Sequence, residues 1–259
     1  MKYLSLLLTV SLLWGCSSLE DKDPTRNWSA ARFYRAASSA LADKNYEIAI
    51  EYYETLETRF PFGPYAQQAQ LEVAYAYYKY EEPDLAIAST ERFIKTFPRH
   101  ENVAYAYYLK GLVNFNRGLS FIDRYLQQDV SERDPGAARQ AFYDFKTLIE
   151  KHPKSDYAED ARKRMLYLRN NLARYELHAA DFYIRRKAYV AAANRASYII
   201  ENFARAPAVA DAMAALSRAY MLLEIPDLAE DSLRALKHNF PEHGQIAELE
   251  AQFAEINLQ

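Results

Sequence analysis

Apolar side chains recur at the three- and four-residue spacing of amphipathic helices from near Trp28 almost to the end of the chain. Glycine is scarce, with only 6 residues in 259. Strand-rich folds need glycine in their turns, so this composition disfavours them. The pattern predicts an all-α protein.

One helical unit occurs five times within this pattern. It has a small residue in a first helix, an alanine in a second helix, and a proline that closes the second helix. The five sets are Ala37, Ala49 and Pro61; Ala74, Ala86 and Pro98; Gly111, Ala141 and Pro153; Ala180, Ala192 and Ala204, without the proline; and Ser217, Ala229 and Pro241. Small residues let paired helices approach closely, and proline cannot continue a helix. Successive positions are twelve residues apart, except that Gly111 and Ala141 are separated by an insertion.

These offsets resemble the tetratricopeptide repeat. They predict an α-solenoid of five tetratricopeptide-like helix pairs, with the insertion in repeat three around residues 121–126 and 134–136. An extra helical segment is expected between repeats three and four, where Ser155 is placed to cap a long helix. The predicted organisation is repeats one to three over residues 28–153, then a linking helix with repeats four and five over residues 154–259.

The N-terminus has the pattern of a targeting signal. Lys2 precedes an apolar stretch of about 11 residues, which is shorter than the roughly 20 residues needed to span a bilayer. Residues 13–16, Leu-Trp-Gly-Cys, resemble the bacterial lipoprotein box, which implies cleavage after residue 15 and a diacylglycerol thioether on Cys16. Residues 1–15 are therefore interpreted as a signal peptide, and residues 16–27 as a lipidated N-terminus and tether. The alternative is a buried free cysteine.

Tyrosine is abundant, with 22 residues. In the repeat family that the chain resembles, particular first-helix positions face a groove. The predicted substrate groove comprises Tyr34, Gln68, Tyr75, Tyr78, Lys79, Tyr105 and Tyr108, together with Phe62 and Tyr65 from the adjoining loop. Tyrosine combines a large ring with a polar tip, which suits a binding surface. The alternative is that the rings only pack between helices. The corresponding positions of repeats four and five are more charged, which indicates a different partner.

Catalytic and cofactor patterns are missing from the sequence. The five histidines lack metal-ligand spacing, and neither a glycine-rich phosphate loop nor a nucleophile elbow occurs. The 32 basic and 35 acidic residues nearly balance, so nucleic acid is not an expected partner. We predict a binding scaffold without cofactor or metal, and not an enzyme.

Four local strings resemble the BamD family of lipoproteins, which belong to the β-barrel assembly machinery of the outer membrane. They are RFPFGPYAQQ at residues 59–68, the Asp-Pro at 134–135, LARYE at 172–176 and VAAANR at 190–195.

The resemblance implies a lipid-anchored protein on the periplasmic face of the outer membrane. It implies three kinds of partner: the POTRA domains of BamA, accessory Bam lipoproteins, and unfolded barrel proteins with an aromatic C-terminal signal. The N-terminal half would take substrate and the C-terminal half BamA, with Arg195 at the BamA contact. Two alternatives are another periplasmic repeat lipoprotein, which coordinates cell-wall synthesis or division, and an enzyme that carries repeats.

Overall fold

The computed structural model describes residues 23–117 and 135–256, and these residues form eleven α-helices. They are α1 (Ala30–Ala42), α2 (Tyr46–Arg59), α3 (Pro64–Lys79), α4 (Pro83–Thr96), α5 (Val103–Arg117), α6 (Gly136–Lys151), α7 (Ala158–Arg185), α8 (Tyr189–Asn202), α9 (Val209–Leu222), α10 (Pro226–Asn239) and α11 (Ile246–Ile256). None of the described helices is long and apolar enough to cross a membrane.

Each helix packs against the next along the chain, so α1 to α10 form five consecutive pairs. First helices also pack side by side, as α1 does with α3, α3 with α5 and α7 with α9. The predicted all-α solenoid of five tetratricopeptide-like pairs is confirmed, and α11 follows the last pair against α9 and α10. The signal peptide, Cys16 and residues 118–134 of the predicted insertion lie outside the described residues.

The small residues of the repeat are buried where paired helices pack together. Ala37, Ala74 and Ala180 are fully buried, and so are the second-helix alanines of all five repeats. In repeat five the Ser217 hydroxyl donates to the Ala229 carbonyl oxygen at 3.0 Å, which joins the two small positions directly. The packing reason given for the sequence pattern therefore holds in the structure.

Second helices end in the same way in every repeat. The C-cap residues are Phe60, Phe97, His152, Phe203 and Phe240, and each donates its N–H to the carbonyl four residues earlier. Repeat four, which lacks the proline, follows this rule, since the Phe203 N–H donates to the Ile199 oxygen at 2.8 Å. Proline is therefore not required to end this helix.

The extra helical segment between repeats three and four is continuous with the first helix of repeat four. Together they form α7, a single helix of 28 residues. The predicted cap at Ser155 is wrong, because Tyr157 is the N-cap residue and its side chain makes no capping bond. Ser155 lies in the preceding turn, where its N–H donates to the His152 oxygen at 3.1 Å.

Candidate functional site

A cavity of about 320 Å³ opens on the row of first helices in repeats one to three. It lies where α1, α3, α5 and the residue before α7 meet. Its lining residues are Leu41, Gln68, Leu71, Glu72, Tyr75, Asn102, Tyr105 and Tyr157. Three residues of the predicted groove, Gln68, Tyr75 and Tyr105, are thus brought to one place.

Glu72 is the one charged residue in this lining. Its carboxylate accepts long hydrogen bonds from the hydroxyls of Tyr34 at 3.4 Å and Tyr53 at 3.5 Å. Burial raises the pKa of Glu72, and these two hydroxyl donors only partly oppose the shift. Among residues 23–117 and 135–256, no basic side chain forms an ion pair with it. The cavity therefore contains a carboxylate without a matching cation.

Three tyrosine rings form the aromatic part of the cavity lining. Burial raises the pKa of Tyr105, so its hydroxyl stays protonated at physiological pH. The rings of Tyr105 and Tyr157 have centroids 5.5 Å apart, and Tyr75 completes the aromatic wall. Tyr157 reaches the cavity from the turn before α7, so repeat three and α7 close it together.

The loop between α2 and α3 has a shape unlike the other corners of the solenoid. Here the next helix begins at Pro64, four residues after the C-cap Phe60, whereas the other corners take six residues. Gly63 adopts a φ of 103°, which favours glycine, and Phe62 is left 91 % exposed. Tyr65 extends from the first turn of α3, with its ring centroid 5.5 Å from that of Tyr34.

Tyr78 and Tyr108 are engaged within the chain. The Asn116 amide donates to the Tyr78 hydroxyl at 2.5 Å, and the Tyr108 hydroxyl donates to Asp160 at 2.6 Å. Each bond thus joins one repeat to the next first helix. Lys79 is exposed beside them, with its ammonium 6.0 Å from the centre of the Tyr78 ring. For these two tyrosines the structure places the hydroxyl in packing between helices.

Arg195 lies on α8 in a buried ion-pair cluster. Its guanidinium donates to Glu176 at 2.7 Å, and Arg139 donates to the other oxygen of the same carboxylate at 3.0 Å. Glu176 is only 2 % exposed, while both arginines remain partly exposed. The hydrogen bond to Glu176 raises the pKa of Arg195. Arg195 lines two surface depressions, of about 420 and 580 Å³.

Sequence reasoning missed Glu72, Tyr157, Glu176 and Arg139. A signal existed for Glu72, because it is the sole charged residue between Arg59 and Lys79. The others gave no comparable signal, since charged and aromatic residues are frequent around them. Within the described ranges, no cluster of three or more His, Cys, Asp or Glu side chains is arranged to hold a metal ion.

Comparison with known proteins gives consistent matches over most of the chain. The family model described as YfiO, outer membrane lipoprotein, matches residues 26–236. The chain is 44 % identical over 243 residues to an outer membrane protein assembly factor BamD of Neisseria gonorrhoeae, and covers 91 % of it. It is 39 % identical to the protein of the same name from Vibrio cholerae, with 92 % of this chain and 99 % of that one covered.

Solved structures of tetratricopeptide proteins are similar to the chain at low identity. The TPR2AB domain of yeast Sti1, in its pHSP90 complex, is 13 % identical with a TM-score of 0.41, over 88 % of this chain and 83 % of that one. A tetratricopeptide protein of Thermus thermophilus is 15 % identical with a TM-score of 0.37, over 89 % and 100 % of the two chains. At these values neither resemblance carries an argument about this chain.

Proposed function

Because the chain belongs to the YfiO family of outer membrane lipoproteins, we propose that it is an outer membrane protein assembly factor, as its BamD relatives are named. In this role it is a non-enzymatic scaffold of the β-barrel assembly machinery. It binds BamA and the C-terminal signal of unfolded barrel proteins, and so promotes their folding and insertion. The observation that supports this most directly is the match to a BamD protein at 44 % identity over 91 % of both chains.

The proposed anchor is the lipidated Cys16, which lies outside the described residues. A lipid anchor followed by the tether of residues 16–27 would hold the solenoid on the periplasmic face of the outer membrane. Several acyl chains supply enough affinity for stable attachment, since each buried methylene contributes about 0.8 kcal/mol.

The proposed substrate site is the aromatic surface of repeats one to three. Tyr75, Tyr105 and Tyr157 line the cavity, and Phe62 and Tyr65 present further exposed rings at the start of α3 and in the loop before it. Rigid aromatic side chains bury a large area at low entropic cost, which suits an extended peptide with alternating aromatic residues.

The proposed BamA contact is the surface around Arg195. Two features support it: the guanidinium is partly exposed where it lines two depressions, and Glu176 holds it in one orientation. An arginine that is already held in one orientation binds a partner carboxylate at a lower entropic cost than an arginine whose side chain is mobile. Accessory Bam lipoproteins are further proposed partners of the scaffold.

The experiment is co-purification of the tagged lipoprotein from membranes in mild detergent. We expect a large β-barrel protein to be recovered with the wild type, and its recovery to fall sharply with Arg195→Ala. Arg139→Ala is the matched control, because it removes one bond from the same Glu176 carboxylate and keeps Arg195.

Two outcomes would count against the proposal. If the wild type recovers no barrel protein, the assembly role fails. If both variants lose the partner equally, the ion-pair cluster maintains the surface and Arg195 is not itself the contact. Circular dichroism of both variants excludes unfolding as the reason for a loss.

A further inference from the structure

The cavity in repeats one to three combines a carboxylate with three aromatic rings. Glu72 is half-buried, and its only hydrogen bonds among the described residues are the two long ones from Tyr34 and Tyr53. Tyr75, Tyr105 and Tyr157 line the same space. The carboxylate of Glu176, which is more deeply buried, has two cationic partners, Arg139 and Arg195. Glu72 differs from Glu176 in having no ion-pair partner among the described residues.

Such a site favours a positive charge. A carboxylate removed from water without a cation loses solvation, and the raised pKa of Glu72 reflects this cost. An incoming cation would restore the lost interaction. Aromatic rings also attract cations over their faces, and more strongly where water is excluded. Both effects act in the same direction and exclude an anionic occupant.

We propose that this cavity binds one basic side chain, lysine or arginine, of the incoming polypeptide. The inference rests on the proposed function, since it names the chemistry that the substrate groove selects. A volume of about 320 Å³ is at the small end of the range for ligand pockets, roughly 300–1,000 Å³. It suits a side chain rather than a folded element.

Lys79 belongs to the predicted groove, and its ammonium would attract the terminal carboxylate of the peptide. Its distance from Glu72 then predicts where the basic residue lies in the peptide. Glu72 and Lys79 are seven residues apart on α3, which corresponds to about 10 Å along the helix axis. An extended chain spans this distance in about three residues. A peptide with its terminal carboxylate at Lys79 would thus place a basic side chain, about three residues from its C-terminus, in the cavity.

The test measures binding of fluorescein-labelled peptides to the detergent-solubilised lipoprotein by fluorescence anisotropy. The peptides share alternating phenylalanines and a free C-terminus, and differ only in lysine or uncharged norleucine three residues from the end. We expect the lysine peptide to bind the wild type about tenfold more tightly, which equals about 1.4 kcal/mol. The variant Glu72→Gln, which keeps the shape and an acceptor oxygen, should bind both peptides alike.

Glu57→Gln is the control variant. Glu57 is also a half-buried glutamate, but it lies on α2 and pairs with Arg92 at 3.3 Å outside the cavity lining. It should keep the preference for lysine. Thermal melts monitored by circular dichroism establish that both variants fold.

The outcomes separate this inference from the function on which it rests. Equal affinity of the wild type for both peptides overturns the basic-residue site but leaves peptide binding intact. A lysine preference that persists in Glu72→Gln also overturns it. If neither peptide binds the wild type, the proposed substrate groove itself fails, and the inference fails with it.

Discussion

Gly111 shows how a single residue sets the distance between two helices. A Cβ atom at this position would lie 2.6 Å from Cε1 of Phe145, which is fully buried in the facing helix α6. The other first-helix small positions are alanine or serine, so repeat three is the repeat whose small position has no Cβ atom.

Gly111→Ala should destabilise the protein by up to about 2 kcal/mol in denaturant unfolding. Alanine gains about 1 kcal/mol over glycine in a helix, but forcing a methyl group into a filled core costs about 1–3 kcal/mol. Gly244→Ala is the control, because a Cβ there meets nothing within 4 Å. Equal stability of the two variants would contradict the close-packing account.

The aromatic cavity yields a second prediction at this scale. Tyr75→Ala should weaken binding of barrel-derived C-terminal peptides by about 1–3 kcal/mol, because it removes a ring from the cavity wall. Tyr143→Ala removes a tyrosine that is 60 % exposed on α6, outside the cavity, and should leave affinity unchanged. Fluorescence anisotropy measures both, and a similar loss in both variants would argue against the site.

At the scale of elements, the turns inside the helix pairs share one backbone feature. Lys44, Glu81, Lys187 and Glu224 have φ between 60° and 64°, and each precedes the second-helix alanine of its repeat by five residues. The left-handed region costs a non-glycine residue about 1–2 kcal/mol. Repeats one, two, four and five therefore all contain this strained turn residue.

Lys44→Gly should stabilise the protein by about 0.5–1 kcal/mol. The change relieves the strain, and the extra entropy of glycine in the unfolded chain offsets only part of the gain. Asp43→Gly, one residue earlier at φ −76°, should destabilise instead. Chemical denaturation measures both, and a loss of stability in Lys44→Gly would show that the turn carries no relievable strain.

The corner after α8 has the same backbone turns as the corners that contain proline, although its own sequence lacks one. The Ala206 N–H donates to the Phe203 oxygen at 2.7 Å, and the Val209 N–H to the Ala206 oxygen at 3.1 Å. The corners that contain Pro98, Pro153 and Pro241 have the same two successive turns. Ala204 occupies the second position of the first turn, where proline is favoured.

Ala204→Pro should therefore raise stability by about 0.4–1 kcal/mol, because it restricts the unfolded chain without straining the corner. Ala206→Pro should lower it, since that change removes the N–H that closes the turn. The two midpoints in a thermal melt should move in opposite directions. A lower midpoint for Ala204→Pro would mean that this corner differs from the other three.

At the scale of the whole molecule, the core is divided among neighbouring repeats. One buried cluster joins repeats one and two with part of α5, and another joins α6 with α7. A further cluster lies between α9, α10 and α11, where Leu249 of α11 is fully buried. In such a solenoid each repeat is stabilised mainly by its neighbours.

Leu249→Ala should accordingly have a local effect. It should cost about 2–5 kcal/mol in the last cluster, as other large-to-small core changes do, and speed hydrogen exchange in α9 to α11. Exchange in α1 to α4 should stay at the wild-type rate. A uniform acceleration along the chain, measured by mass spectrometry, would indicate one cooperative unit instead.

The repeat architecture was readable from the sequence because its determinants are local. Small residues such as Ala37 and Ala49 mark the close approach of two helices, and the residue before each closing position ends the second helix. The number of residues between these positions therefore follows directly from the lengths of the helices and of the turns that join them. The Ser155 cap failed because the turn at residues 152–158 follows the shared corner geometry rather than a side-chain cap.

Only the tertiary structure decided what each groove residue does. Tyrosines of the predicted groove differ in what they do. Tyr105 lines the cavity, whereas the Tyr108 hydroxyl donates a hydrogen bond to the next first helix. The cavity forms from Leu41, Glu72 and Tyr157, which are distant in sequence. Their meeting depends on the rotation between successive repeats and on side-chain packing across them, and neither is encoded in the period of the pattern.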